Sequence, residues 1–332
     1  MTSKSKLKVC MTTGKIHDIL LTERPRRSGL YQWPNCFKKS ESNLYNKARD
    51  YEKFDVVMVN ICAGDVALVP PLVERFKNSD TKVVVCNDYA IELYSWFPQH
   101  MWDVVNSIKG ADMYFGTEPM SANMLASILP KGSPVYTMPH PADTVELKSR
   151  AKKIRKNEKY AQQDLTGVFY HRYDNQTITP WAVTKDLPYQ SVLLGYMSGE
   201  KGDKNNWKTT NMFDRLVAYG GHDEHYKALA QTRIGYDPTQ FHTWGRSVVE
   251  AACLKMPCIG SDRTYSMKAL YPEYAHNPSD VKAIKQDLVN FIANPDLRVD
   301  AAERAYGQVD MYSLENAAKK FTVALEDATK NG

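Results

Sequence analysis

Between Thr239 and Ser261 the chain reads as the end of a strand, a glycine turn and an apolar helix carrying one carboxylate. The first amides of a helix lack intrahelical acceptors and its N-terminus carries a partial positive charge. Gly245, Arg246 and Ser247 would therefore open a site for a diphosphate. Glu250 falls one turn further in, where a carboxylate can accept from two ribose hydroxyls. Its neighbours Val248, Val249, Ala251, Ala252 and Leu254 are apolar, and a carboxylate among such side chains is costly unless it has a partner. A ligand-binding Glu250 therefore outweighs an ordinary capping or salt-bridged one.

The elements that would position these groups follow from the hydrophobic pattern. A chain of 332 residues fits two domains of roughly 150 residues each. Short apolar runs alternate with segments of helical period, the pattern of parallel sheets covered by helices on both faces. Strands are expected at Leu7–Met11, Asp55–Asn60, Lys82–Asn87, Asp112–Phe115 and Val135–Met138. In the second half they are expected at Gly167–Tyr170, Ser191–Gly195, Arg215–Tyr219, Arg233–Tyr236 and Pro257–Gly260. Helices are expected at Leu68–Lys77, Ser121–Leu129, Glu224–Gln231, Ser247–Leu254, Ser279–Ala293 and Leu314–Ala328. A proline-rich turn, Met138–Asp143, closes the first half, and the basic stretch to Lys159 serves as connector. The expected organisation is thus 1–160, 161–310 and a closing segment 311–332, with ligands in a cleft at the C-terminal ends of the strands.

Bulk composition narrows the function classes. Apolar residues make up 43% and charged residues 24%, the values of a globular protein. No apolar run approaches the roughly 20 residues of a membrane span, and the N-terminus has no signal-peptide apolar core, so the expected location is the cytoplasm. The six cysteines include no Cys-x-x-Cys pair and read as reduced, packed thiols. The chain has no Asp-x-Asp and no His/Cys/Asp cluster with metal spacing, so no metal is expected. It also lacks a Gly-x-x-x-x-Gly-Lys-Ser/Thr loop and a Gly-x-Ser-x-Gly elbow, which sets aside phosphoryl transfer and serine hydrolysis. Net charge is +5. It is uneven: 24 Lys+Arg against 17 Asp+Glu in residues 1–160, and 19 against 21 thereafter. A basic first half points to an anionic partner, whether nucleic acid, acidic polymer or lipid surface; a solvated charged face is the plainer alternative.

The stretch Phe241-His242-Thr243-Trp244-Gly245-Arg246-Ser247-Val248-Val249-Glu250, with Pro257-Cys258-Ile259-Gly260-Ser261 after it, resembles the retaining glycosyltransferases of family 4, which have the GT-B fold of two facing Rossmann-like domains. Their signature is Glu, seven residues, Glu; here the first glutamate is His242. The resemblance implies that Glu250 binds the ribose of a nucleotide-sugar donor, most often a UDP-sugar, and that His242 approaches the transferred sugar. It places Gly14, in Thr12-Thr13-Gly14-Lys15, near the donor phosphates, and Asn87 and Asp88 where relatives have His-Asp facing sugar or acceptor. Asp88 as a cap of the next helix is an equal alternative. Tyr170-His171-Arg172-Tyr173 resembles the family's Gly-Arg pair, without the lysine that usually follows. Arg172 and Arg246 would then clamp the diphosphate on which leaving-group charge develops. The segment 311–332 resembles the closing helix that crosses back to the first domain.

The implied activity is metal-independent glycosyl transfer with retention. The family mechanism lets the leaving phosphate deprotonate the acceptor, so no protein base is required. For the acceptor, hydroxymethylated pyrimidine in DNA, as modified by bacteriophage enzymes of this fold, competes with lipid, polysaccharide or small-molecule hydroxyls. A nucleotide-sugar epimerase or hydrolase, or a non-catalytic binding protein, remains open. No obligate protein partner is expected, and peripheral membrane contact is compatible with the charge.

Overall fold

A computed structural model describes residues 7–14, 30–61, 65–169, 178–196, 212–218 and 221–331. The chain divides into two compact units. One comprises residues 1–143, 242–244 and 311–332, the other residues 144–241 and 245–310.

The first unit is built on a six-stranded sheet, β1 (Val9–Thr13), β2 (Glu41–Leu44), β3 (Val56–Asn60), β4 (Lys82–Asn87), β5 (Met113–Gly116) and β6 (Val135–Thr137), in the order β2-β1-β3-β4-β5-β6. Every pairing is parallel. Alternate side chains enter different cores, as the period of a strand requires. Val9, Met11, Val56, Met58, Val84, Cys86, Met113 and Phe115 pack in one cluster. Cys10, Val57, Val59, Val83, Val85 and Tyr114 pack in the other, under helices α1 (Val69–Phe76), α2 (Ile91–Trp96), α3 (Pro98–Ser107) and α4 (Pro119–Ile128). The first cluster is covered by the 3-10 segment Leu30–Cys36 and by the C-terminal helix Leu314–Asn331, whose Phe321 is fully buried against Trp33, Phe37 and Phe115.

The second unit carries α5 (Thr144–Arg155), β7 (Leu165–Phe169), α6 (Ile178–Thr184), β8 (Gln190–Tyr196), β9 (Arg215–Ala218), α7 (His222–Gln231) and β10 (Ile234–Asp237). It continues with α8 (Arg246–Cys253), β11 (Cys258–Ser261), α9 (Tyr265–Leu270), β12 (Ala275–His276), α10 (Val281–Ala293) and α11 (Pro295–Gln308). The C-terminal helix Leu314–Asn331 is α12. The second sheet runs β12-β11-β10-β7-β8-β9, again all parallel. Strand order reverses between β1 and β3 in the first sheet and between β7 and β10 in the second, and ligands of open parallel sheets bind at such switch points.

Two differences from the sequence reading have physical causes. Strand β2 (Glu-Ser-Asn-Leu) has no apolar signature because it is an edge strand whose side chains are all half-buried. The stretch 144–160 belongs to the second unit: Leu147 and Ala151 of α5 are buried, Tyr226 of α7 donates to the Leu147 carbonyl at 3.1 Å, and Arg155 donates to the Leu254 carbonyl. Drawn at these boundaries, the first unit has 20 basic against 18 acidic residues and the second 23 against 20. The strongly basic first half is therefore not a property of the first unit. Cys10, Cys36, Cys86, Cys253 and Cys258 are buried and unbridged. Among the described residues no helix is long and apolar enough to cross a membrane.

Candidate functional site

In the second unit the loop from β10 to α8 is braced from several sides. Asp237, 1% exposed, accepts from the Thr239 amide at 3.2 Å and from Thr264 Oγ1 at 2.7 Å, and Arg263 donates to the Gln240 carbonyl. Gly245 caps α8 at φ 86°, where only glycine is at ease, and its carbonyl accepts from Ser266 Oγ at 2.7 Å. A Cβ at Gly245 would run into Thr264 and Ser266. No side chain caps the helix, so the amides of its first turn, Arg246 and Ser247 among them, keep the anion-binding character expected of them.

Glu250 is fully buried and surrounded by cations. Its Oε1 accepts from Arg246 Nε at 2.9 Å and pairs with His222 Nε2 at 3.2 Å; His225 Nε2 stands 3.8 Å from Oε2. Arg150 NH1 lies 3.0 Å from His222 Nδ1. An arginine can only donate, so Nδ1 accepts and the His222 proton sits on Nε2, facing the carboxylate. Arg150 is itself paired with Asp223. Burial pushes the Glu250 carboxyl up, but the His222 hydrogen bond and the charges of Arg246, His222 and His225 outweigh it and hold the group well below the ordinary carboxylate range. Oε2 is buried and makes no hydrogen bond to the described residues.

This geometry corrects two expectations. Glu250 has one oxygen to offer rather than two, because Oε1 is already taken. Arg246 turns its guanidinium back along α8 onto Glu250 instead of outward as a phosphate clamp, although its NH1 is buried without a hydrogen-bond partner. Arg172 lies outside the described residues.

In the first unit Asn87 is fully buried at the end of β4. Its Oδ1 accepts from the Tyr89 amide at 3.1 Å and the Tyr94 hydroxyl at 3.0 Å, so it shapes the turn and does not present its side chain outward as expected of a catalytic group. Asp88 keeps 29% of its side chain exposed, and its carboxylate does not cap α2, whose N-cap is Ala90 without a side-chain bond. Behind it, Trp33 Nε1 donates to His140 Nδ1 at 3.0 Å, which places the His140 proton on Nε2, 2.7 Å from Asp88 Oδ1. That last contact is a close approach without hydrogen-bond alignment. Gly14 also departs from expectation: its amide donates to Asp65 Oδ1 at 2.5 Å, and a Cβ there would strike that carboxylate. The glycine is needed for the approach of Asp65, and its amide is not open to a phosphate. Burial raises the Asp65 carboxyl to about 7, a rise the Gly14 amide only partly offsets.

His242 does not stand alone. Glu92, in the first turn of α2, accepts from the His242 amide through both oxygens at 3.2 Å and lies 2.6 Å from its Nδ1. The partners that the sequence reading missed are therefore Glu92, Asp65, Arg150, His222 and His225. Only the His222/His225 pair, opening a helix after Gly221, has a local signal; the others meet their partners through sequence separations of 51 to 150 residues.

Two parallel six-stranded sheets with flanking helices define the GT-B fold class. No protein-family model matches the sequence, and no curated protein matches it significantly. Solved structures do resemble it. HepE from Anabaena, in complex with UDP and glucose, superposes with a TM-score of 0.70 at 11% identity over 97% of this chain and 100% of that one. The N-terminal domain of Candida albicans trehalose-6-phosphate phosphatase gives 0.70 at 10% identity over 99% of each. An alpha-glucosyltransferase in complex with UDP and a 13-mer DNA gives 0.61 at 12% identity over 98% and 100%. At such identities the likeness is one of fold.

Proposed function

We propose that the protein is a glycosyltransferase that moves a sugar from a nucleotide-sugar donor, a UDP-sugar, to an acceptor hydroxyl. The observation carrying this reading is the Glu250 carboxylate: ionised, wholly buried, and with Oε2 lacking a hydrogen bond among the described residues, one turn into a helix whose N-terminus is uncapped. A buried polar atom of this kind calls for an explanation, and a ribose hydroxyl donating to Oε2, with the diphosphate at the Gly245–Ser247 amides, supplies one. The likeness to proteins solved with UDP supports the choice of nucleotide. Retention and independence of metal are what the family resemblance implies, and the sequence offers no Asp-x-Asp to argue otherwise.

For the acceptor, hydroxymethylated pyrimidine in DNA is the reading to test first. Its support is the likeness to a glucosyltransferase solved with DNA and the exposed basic side chains Lys152, Lys153, Arg155, Lys156 and Lys159 at and beyond the end of α5. The charge of the first unit no longer contributes to it.

The decisive experiment is a thermal-shift screen with UDP, GDP, ADP and their sugars. A ligand held only by the folded state at 100 times its Kd adds about 2.7 kcal/mol, or roughly 5–10 °C for a unit of this size. No shift with any nucleoside diphosphate would overturn the donor site. A steep fall of duplex-DNA binding with salt supports the DNA acceptor, and binding only to anionic vesicles refutes it.

A further inference from the structure

Glu92 stands on the segment leaving the C-terminal end of β4, and His242 on the loop leaving the C-terminal end of β10, the ends at which open parallel sheets hold ligands. Three contacts join them: the two amide bonds at 3.2 Å and the ring contact at 2.6 Å. An ionised carboxylate only accepts, so His242 carries a proton on Nδ1, and in the neutral ring Nε2 is left with its lone pair. The His242 side chain is 29% exposed, and none of the described residues hydrogen-bonds Nε2. A part-exposed ion pair contributes little stability. What three contacts to a single carboxylate achieve is orientation: backbone and ring are fixed together, and Nε2 is held in one direction as an acceptor.

We propose that Glu92 is a positioning residue that presents His242 Nε2 as the acceptor for a hydroxyl of the transferred sugar, the pair standing in for a single carboxylate. The inference rests on the glycosyltransferase reading above. Its test is the ratio of affinities for UDP-glucose and UDP, measured by calorimetry on the full chain. UDP lacks the sugar, so it reports folding and the nucleotide site alone, and a merely structural role for Glu92 would move both ligands together.

H242A and E92Q should each weaken UDP-glucose about tenfold while leaving UDP unchanged, the loss of one oriented hydrogen bond. H242E alone sets two carboxylates against each other and should also lose the preference, whereas H242E/E92Q restores one carboxylate with a neutral neighbour and should recover it. An unchanged ratio in E92Q, or no recovery in H242E/E92Q, overturns the role of Glu92 while the donor site stands. Failure of the wild-type protein to bind either ligand overturns the donor site and this inference with it.

Discussion

Replacing Glu250 by Gln keeps the shape of the side chain and one acceptor oxygen but removes the charge that compensates Arg246, whose side chain is only 13% exposed. Stranding one member of a buried ion pair costs about 3–5 kcal/mol. With His222 at 11% exposure, the lower end applies, about 3 kcal/mol, or a fall in Tm of roughly 6–12 °C. Arg246→Met strands Glu250 in turn and should cost about as much. E250Q/R246M leaves neither charge exposed to an empty partner, so the double variant should lose about 3 kcal/mol rather than 6, a coupling of about 3 kcal/mol. The pH dependence has a definite sign. Because the folded-state pKa of Glu250 lies well below 4.5, its contribution is present above the unfolded pKa and is lost as pH falls through the folded value. The gap between wild type and E250Q should therefore be full at pH 6 and shrink below about pH 4.5. Thermal and urea unfolding at pH 3 to 7 measure both quantities. Additive single variants, within about 0.5 kcal/mol, or a gap that widens toward acid, would refute the compensated-carboxylate account.

Asp65 has the opposite sign: burial raises its carboxyl to about 7. The folded state therefore holds a proton that the unfolded chain has released, so stability is full below about pH 4 and declines as pH rises through 7. D65N, which keeps an acceptor for the Gly14 amide, should be more stable than wild type at pH 8, by about 1–3 kcal/mol, and gain nothing at pH 4; equal gains at both values would exclude this titration. Phe321, fully buried against Trp33, Phe37 and Phe115, should cost about 3–5 kcal/mol when replaced by Ala. Urea unfolding reads that loss, and a cost under about 1 kcal/mol would mean that α12 does not close the first core.

Strands β3, β4, β5, β8 and β10 were legible because a strand buried on both faces must be nearly all apolar, as in Val56-Val57-Met58-Val59 and Val83-Val84-Val85-Cys86. Strand β2 was not, since an edge strand buries only parts of side chains and so needs no apolar code. Helix α5 looked like a connector because its three buried positions, Thr144, Leu147 and Ala151, are outnumbered by lysines and arginines; its place in the second unit depends on contacts with α7 and the end of α8.

For the site, local sequence already marked the Gly245 turn and the isolated carboxylate of Glu250, because a left-handed cap demands glycine and an acid in an apolar helix demands a partner. Which partners answer it is a matter of distance in space. Arg150, His222 and His225 reach Glu250 from other helices, Glu92 reaches His242 across a separation of 150 residues, and Asp65 takes the Gly14 amide. Charge acts through a few ångströms of space and not along the chain, so only the folded backbone could fix which oxygens and amides are spent internally and which remain for a ligand.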